Sequence, residues 1–140
     1  MSDSTDLRIA VNALNRELRS HRSPAGLTQT QYTILGYLDR VGPATPARLA
    51  EYFRVKGQSL TLSVNTLTER GLVSRRQDDV DRRRQFVELT DAGRVLVDED
   101  RAVRDVWLET AMAERLTELE RGVLRLAVPV LLTLAGDVGA

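Results

Sequence analysis

Apolar residues recur every three to four positions along most of this 140-residue chain, a spacing that predicts amphipathic helices. The first helix is expected over about residues 4–20, before the helix-breaking segment "HRSPAG". The second is expected over about residues 28–41. It begins at a capping box, Thr28-x-x-Gln31, in which each side chain accepts a hydrogen bond from the other residue's backbone N–H.

Two shorter helices are predicted next. Thr45 is expected to be an N-cap and Pro46 the first helical residue, where its missing N–H costs nothing, so a helix follows over about 46–53. A fourth helix covers "GQSLTLSVNTLTERG" and ends where Gly71 can take the left-handed conformation. The pair has the form of a helix-turn-helix.

The pattern then changes from a helical period to strict alternation. The segments "LVSRRQ" and "RQFVELT" flank the polar "DDVD", which predicts a two-stranded hairpin with its tip near residues 78–82. Thr90 is expected to cap a long helix over about residues 91–112, with Asp91 at its positive end.

The last helix is expected from a Thr117-x-x-Glu120 capping box to about residue 136. Apolar residues lie on nearly every side of it, which is more than a surface helix of a monomer needs. Burial against a second chain is therefore indicated, and the alternative is a helix at the centre of one subunit. Pro129 is expected to bend or interrupt this helix.

This order of elements predicts a mainly α fold, an α+β winged helix-turn-helix over about residues 28–90, within a single domain covering 1–140. In such a fold the second helix of the pair enters the major groove of DNA, and the hairpin reaches the neighbouring backbone or minor groove. Arginines crowded at the hairpin repel one another, whereas a line of phosphates would neutralise them. The arginine-rich hairpin therefore favours nucleic-acid binding.

Composition narrows the function further. The chain has no Cys and one His, His21, so thiolate chemistry, disulfides and poly-histidine metal sites are excluded. No Gly-rich phosphate loop or pairing of nucleophile with base is present, and an enzyme is not expected. No cofactor is expected either. The longest apolar stretch, "LAVPVLLTLA", is about half of the ~20 residues of a membrane span, so no membrane partner and a cytoplasmic location are predicted.

The formal net charge of zero conceals a segregation of charge. Residues 54–84 carry eight basic side chains and four acids, whereas residues 98–120 carry eight acids and three arginines. A basic middle segment fits a polyanionic partner, and ordinary solvated helix faces are the alternative.

At this point the sequence resembles a known family. The segments "LTQTQYTILGYL", "LAEYF", "GQSLTLSVNTLTERGLVSR" and "DDVDRRRQFVELTDAGR" are similar to those of the multiple-antibiotic-resistance regulator (MarR) family over essentially the whole chain. The resemblance implies a homodimeric transcription factor that binds double-stranded DNA. It also implies that the terminal helices, about residues 4–20 and 91–136, form the dimer interface.

The helix over residues 57–70 is then the candidate recognition helix. Leu60, Val64 and Leu67 share its apolar face, and the opposite side carries the candidate groove contacts. Gln and Asn suit adenine edges, Ser and Thr suit phosphate, and Leu62 suits a thymine methyl group. Many family members have a basic residue where Leu62 stands, and a solvated helix face is the alternative for each position. The candidates are Gln58, Ser59, Thr61, Leu62, Asn65 and Thr66.

Arginine and lysine side chains around this helix are expected to contact phosphates. They are Arg54, Lys56, Arg75, Arg76, Arg82, Arg83 and Arg84. Arg75 or Arg76 could instead pair with Glu88 across the hairpin. The family pattern implies that Asp81 holds Arg83 in position while one of the last three arginines enters the minor groove. Strand alternation means that these three cannot all face the same way, so one of them is structural.

The family resemblance also implies that small aromatic or phenolic effectors bind between the dimer helices and the winged module. The polar and aromatic candidates for this pocket are Arg16, His21, Tyr32, Tyr37 and Trp107, with core packing as the alternative for each. The hypothesis that follows is a ligand-responsive repressor that binds a pseudo-palindromic operator. The alternative is a winged-helix protein-interaction module without DNA binding.

Overall fold

The computed structural model describes residues 2–137, which form six helices and one two-stranded antiparallel sheet. The element order of helices and strands confirms the predicted one. The elements are α1 (Asp3–Ser20), α2 (Gln29–Val41), α3 (Pro46–Phe53), α4 (Gly57–Glu69), β1 (Val73–Gln77), β2 (Gln85–Leu89), α5 (Asp91–Arg115) and α6 (Glu118–Ala135).

The helix starts follow the capping signals in the sequence. The Thr28 side chain accepts a hydrogen bond from the Gln31 backbone N–H (3.2 Å), and the Gln31 side chain accepts one from the Thr28 N–H (2.9 Å). The Thr45 hydroxyl accepts from the Arg48 N–H (3.1 Å), with Pro46 in the first turn. These bonds satisfy N–H groups that a helix start leaves without an intrahelical partner.

The last two helices depart from the prediction at two points. Helix α5 continues to Arg115, about one turn beyond the expected end. Helix α6 runs from Glu118 to Ala135 with Pro129 inside it, so an interruption at Pro129 is wrong, and the alternative, a bend, stays a prediction. A proline removes one N–H donor from a helix, and here the helix continues beyond it to Ala135.

The two strands pair from Val73 opposite Leu89 to Gln77 opposite Gln85. Ala44, just before α3, adds an isolated bridge to this sheet and exchanges both backbone hydrogen bonds with Val87 (2.8 and 3.1 Å). The bridge was not predicted from the sequence, since one residue gives no alternating pattern. It fixes the edge of the hairpin to the start of the helix-turn-helix.

The chain divides into two compact units. The winged unit is Pro24–Asp100, and the helical unit is Met1–Ser23 with Arg101–Ala140. Among the described residues every buried side chain lies in the winged unit. Its largest fully buried side chains come from α2, α3, α4 and both strands; they are Ile34, Leu35, Leu49, Leu60, Val64, Leu67, Val73 and Val87.

Within the winged unit the start of α5 is attached to the hairpin by close backbone contacts. Gly93 is buried, and a Cβ at this position would lie 2.1 Å from the carbonyl oxygen of Leu72. The Thr90 hydroxyl donates to the Gly71 carbonyl (2.6 Å) and accepts from the Gly93 N–H (3.1 Å). Only a residue without a side chain fits this contact.

The helical unit has a different character. No residue of α1 or α6 is buried, and large apolar side chains of both helices are exposed. Inside this unit the His21 ring stacks on Trp107, with ring centroids 4.6 Å apart and planes inclined by 18°. His21 Nε2 also lies 3.8 Å from a Glu17 carboxylate oxygen.

Candidate nucleic-acid interface

Helix α4 presents two opposed faces. Leu60, Val64 and Leu67 are buried in the core of the winged unit. Leu62 follows Leu60 by two residues, about 200° around a helix, and therefore lies on the side opposite the core. Its side chain is 68% exposed. The exposed face of α4 is thus centred on an apolar residue.

The start of α4 is positively charged, and its first-turn backbone N–H groups receive no side-chain cap and can donate to an anion. Lys56 is the N-cap, and its side chain makes no capping hydrogen bond. Arg54 precedes it in a left-handed conformation (φ 53°) that ends α3. First-turn N–H groups and the helix dipole attract anions, and both cationic side chains are exposed beside them. This end of α4 suits a DNA phosphate.

The polar candidates on α4 differ in whether their side chains already make hydrogen bonds within the protein. The Thr61 hydroxyl donates to the Gly57 carbonyl (2.8 Å), and the Thr66 hydroxyl donates to the Leu62 carbonyl (3.1 Å). The Asn65 side-chain oxygen accepts a hydrogen bond from the Arg75 guanidinium of β1. The remaining two candidates, Gln58 and Ser59, are exposed and make no side-chain hydrogen bond within the described residues.

Two aspartates shape the turn of the wing, residues 78–84. The Asp78 carboxylate accepts from the Val80 N–H (3.1 Å), and the Asp81 carboxylate accepts from the Arg83 N–H (3.1 Å). Side-chain bonds to the backbone two residues later are a common way in which Asp builds a turn. The Asp78 N–H donates to the Arg84 carbonyl (3.0 Å) and closes the loop. The acids among the arginines therefore have a structural use.

The three wing arginines have different surroundings. Arg83 Nε lies 3.3 Å from the Asp81 carboxylate, while its side chain is 92% exposed. Arg84 lies 3.9 Å from the Asp78 carboxylate and stacks over the Phe86 ring at 5.6 Å. The Arg82 guanidinium makes no ion pair within residues 2–137. Arg84 is thus the most structurally engaged of the three, and the proposed contacts of Arg82 and Arg83 with DNA stay predictions.

The strand arginines also separate into two kinds. Arg76 lies 3.5 Å from the Glu88 carboxylate, the pairing expected as an alternative from the sequence, and its guanidinium stacks over Phe86 at 5.3 Å. Arg75 points to α4 through Asn65. Because neighbouring residues of a strand face opposite sides, one arginine supports the wing and the other reaches the recognition helix.

An open groove of about 380 Å³ joins the wing to the start of α3. It is lined by Thr45, Pro46, Ala47, Arg83, Arg84 and Gln85. The sequence does not predict that these two segments meet, because no local pattern shows that Ala44 bridges to Val87. Asp78 was also missed as a residue that shapes the wing. Its signal was an aspartate at the first position of the turn.

The candidates for an effector pocket lie in both units. Arg16, His21 and Trp107 belong to the helical unit, where His21 and Trp107 stack on each other. Tyr32 and Tyr37 belong to the winged unit and are buried there. Tyr37 packs at the core against the rings of Tyr52 (4.6 Å) and Phe53 (5.6 Å), in agreement with the alternative of a packing role.

Over residues 2–137 no group of three acidic or histidine side chains could hold a metal ion. No helix in the same part of the chain has the length and apolar character needed to span a membrane.

The fold and this surface define a winged helix-turn-helix protein of the DNA-binding class. A model of the MarR family matches residues 25–84. HTH-type transcriptional regulators from Mycobacterium bovis and Mycobacterium tuberculosis are each 34% identical over 137 residues, covering 96% of this chain and 93% of theirs. The chain belongs to the MarR family and is a DNA-binding transcriptional regulator, which confirms that it is not an enzyme.

Solved structures agree with this assignment. A putative transcriptional regulator from Pseudomonas aeruginosa is 32% identical, with a TM-score of 0.84 over 97% of this chain and 94% of that one. Apo MarR from Escherichia coli is 22% identical, with a TM-score of 0.79 over 94% of this chain and 98% of that one. The second likeness shows the fold alone.

Proposed function

We propose that this regulator is a homodimeric, ligand-responsive repressor that binds a pseudo-palindromic operator. The observation that carries the proposal is the exposure of the apolar side chains of α1 and α6, two helices without a single buried residue. Its partner is chromosomal DNA, so the proposal places the protein in the cytoplasm.

The dimer is supported by the amount of apolar surface on the terminal helices. Leu126 is 75% exposed and Leu134 is 70% exposed, and the valines and leucines between them are 40–65% exposed. An apolar groove of about 520 Å³ also runs between Leu7 and Val11 of α1 and Leu134 of α6. Contiguous exposed apolar surface on a small protein marks an association site, and two-fold dimers are the commonest assembly.

A two-fold dimer sets the expected form of the operator. Each subunit contributes one α4, and the two-fold axis relates the two α4 helices. Two recognition helices in successive major grooves require half-sites about one helical turn, ~34 Å, apart. The operator should therefore be an imperfect inverted repeat.

The number of cationic side chains predicts how strongly salt should weaken DNA binding. Arg54 and Lys56 at the start of α4, with Arg82 and Arg83 on the wing, offer about four phosphate contacts per subunit and about eight per dimer. Counterion release then predicts a slope of log affinity against log salt near −7. A slope near zero would contradict this basic surface.

Dimerisation is tested by sedimentation equilibrium at micromolar concentration. The wild-type chain should sediment as a dimer of the 15.6 kDa subunit. The double variant Leu126→Ser, Val130→Ser should sediment as a monomer, because it places hydroxyls on the exposed apolar face of α6. The matched control is Val41→Ser, since Val41 is 55% exposed in the winged unit and Val130 is 65% exposed in α6. A strictly monomeric wild type would contradict the proposed homodimer.

Operator binding is tested by fluorescence anisotropy with DNA selected from the source genome at low ionic strength. Alanine at Arg82, Arg83 and Arg84 together should lower the affinity by about 100-fold or more, because the two phosphate contacts of Arg82 and Arg83 are lost in each subunit, about four per dimer. Adding the protein to transcription from a selected promoter should lower the transcript level. A protein that binds a protein partner and no DNA would support the interaction module instead.

The ligand response is supported by the half-buried His21–Trp107 stack of the helical unit and by the family resemblance. Trp107 is the only tryptophan of the chain and stacks on His21, so its emission reports changes at this position. Simple phenols and benzoates should change Trp107 emission and weaken operator binding over the same concentration range. Unchanged emission together with unchanged DNA affinity removes the ligand-responsive part of the proposal.

A further inference from the structure

We infer that the exposed face of α4 reads the C5-methyl group of thymine through Leu62, and that this methyl contact is a base-specific contact of each half-site. The inference rests on the proposed binding of α4 in the major groove. It adds thymine as the base that α4 recognises and Leu62 as the residue that selects it.

Leu62 lies on the face of α4 that is directed away from the core. It lies about 200° around α4 from the buried Leu60, at the centre of the face that a groove would receive. Its side chain is 68% exposed, although nothing in the winged unit prevents a polar residue at this position. In the major groove the one apolar group on a base edge is the thymine methyl.

The hydrogen bonds around Leu62 strengthen this assignment. The hydroxyl protons of Thr61 and Thr66 are already donated to helix carbonyls, at 2.8 and 3.1 Å. Each threonine therefore offers a base edge a methyl group and an acceptor lone pair, and no free donor proton. Two of the polar neighbours of Leu62 thus add apolar surface instead of hydrogen-bond donors.

Asn65 is restricted in a similar way. Its side-chain oxygen accepts from Arg75, which fixes the orientation of the amide and takes one of the two acceptor positions of the atom that would face the adenine N6 amino group. Recognition of adenine by Asn uses that oxygen and the amide nitrogen together. The free polar side chains are those of Gln58 and Ser59, in the first turn of α4, beside the phosphate-binding end.

α4 also carries no arginine or lysine within Gly57–Glu69, so the usual bidentate contact with guanine is absent from this helix. What remains at the centre of the face is a leucine among threonine methyl groups. The fitting ligand is a T·A pair with its methyl group directed at Leu62.

The test uses an operator duplex in which each thymine is replaced in turn by deoxyuridine, which removes the C5-methyl and keeps every hydrogen-bonding group. For the wild type, one position in each half-site should lose affinity by about three- to fivefold, as expected for one buried methyl group. Changing both half-sites together should multiply the two losses to about 10- to 25-fold.

Two variants show whether Leu62 is responsible. Leu62→Ala should bind thymine and uracil duplexes with equal affinity, whereas Leu62→Met should keep the preference for thymine. Because Leu62 is exposed, both variants should have the wild-type circular dichroism spectrum and melting temperature. As a matched control, Val41→Ala, at an apolar residue that is 55% exposed and lies outside α4, should keep the full thymine preference.

The outcomes separate the inference from the function on which it rests. Equal binding of thymine and uracil duplexes by a wild type that still binds DNA with a steep salt dependence overturns the inference alone. A thymine preference that survives unchanged in Leu62→Ala overturns it as well. Absence of any salt-dependent DNA binding overturns the proposed function first.

Discussion

The winged unit and the helical unit are built from the same kinds of residue and bury them very differently. In the winged unit leucines and valines from five elements are at most 2% exposed, whereas α1 and α6 have no buried residue at all. Both regions show helical periodicity in the sequence. The difference teaches that periodicity predicts the helix, and that burial depends on which other elements are available to cover it.

The contrast also assigns a separate task to each unit. A core that is complete within one chain can hold the α4 face and the wing in fixed positions. In the proposed dimer, helices whose apolar faces are open would gain stability from a second copy. The four predictions below test this division, in order of expected effect.

The largest effect is expected at the junction of the hairpin with α5. Gly93→Ala places a Cβ 2.1 Å from the Leu72 carbonyl oxygen, which requires the backbone to move. The winged unit should lose about 3 kcal/mol or more of stability, measured by chemical denaturation. Gly36→Ala in α2 is the control, because its Cβ would have nothing within 4 Å and alanine favours helix. Wild-type stability of Gly93→Ala would show that this contact is not tight.

A pair of leucines compares the two units directly. Leu49→Ala removes a fully buried side chain of α3 and should cost about 2–5 kcal/mol at any protein concentration. Leu126→Ala removes a side chain that is 75% exposed, so its cost should depend on association and vanish at low concentration. Thermal melts over a 100-fold range of concentration measure both effects. Concentration-independent losses in both variants would break the division into a self-sufficient unit and an associating one.

The wing provides a comparison within the winged unit. Arg82→Ala should lower the salt slope by about 2 for the dimer, since one free guanidinium per subunit is lost. Arg84→Ala removes the contacts with Asp78 and Phe86, so its main effect should be a loss of stability of about 1 kcal/mol or less. Anisotropy over a series of salt concentrations and denaturation curves measure the two quantities. Exchanged results for the two arginines would reverse the roles assigned here.

The smallest effect is a pH dependence in the helical unit. The Thr117 backbone N–H donates to the Glu120 carboxylate (2.9 Å), and this bond, with the one from the Thr117 side chain, lowers the pKa of Glu120 below its ordinary value of 4.5. A lowered pKa contributes stability above pH 4.5, and this stability is lost as the pH falls through the folded-state pKa.

Helicity measured by circular dichroism should therefore show a small acid transition that Glu120→Gln removes, because glutamine keeps the cap and does not titrate. The same transition in Glu120→Gln would assign it to another group.

Local signals in the sequence were sufficient for most of the fold. Thr28 and Thr117 predicted capping boxes, Thr45 predicted a cap, and the alternation around the wing predicted the hairpin, because each of these features depends on residues within a few positions of one another. The Arg76–Glu88 pair was also within reach, since strand pairing limits the partners of a side chain.

Features that depend on distant residues were not predictable in this way. The bond from Arg75 to Asn65, the bridge from Ala44 to Val87 and the tight fit of Gly93 join segments whose proximity exists only in the folded chain. The hydrogen bonds of the Thr61 and Thr66 hydroxyls depend on side-chain rotamers that the sequence does not specify. The sequence therefore predicts which residues lie on the exposed face of α4. It does not predict which of their hydrogen-bond donors and acceptors remain available for DNA.

Lys56, the N-cap of α4, is the only lysine of the chain. An amine-selective reagent therefore has one side-chain target in each subunit, located at the start of the recognition helix. Acylation of this amine would erase its charge beside the phosphate-binding end, and a bound duplex would shield it from the reagent. The extent of labelling at Lys56, separated from labelling of the α-amino group by peptide mass, can thus report operator occupancy in solution without any substitution in the protein.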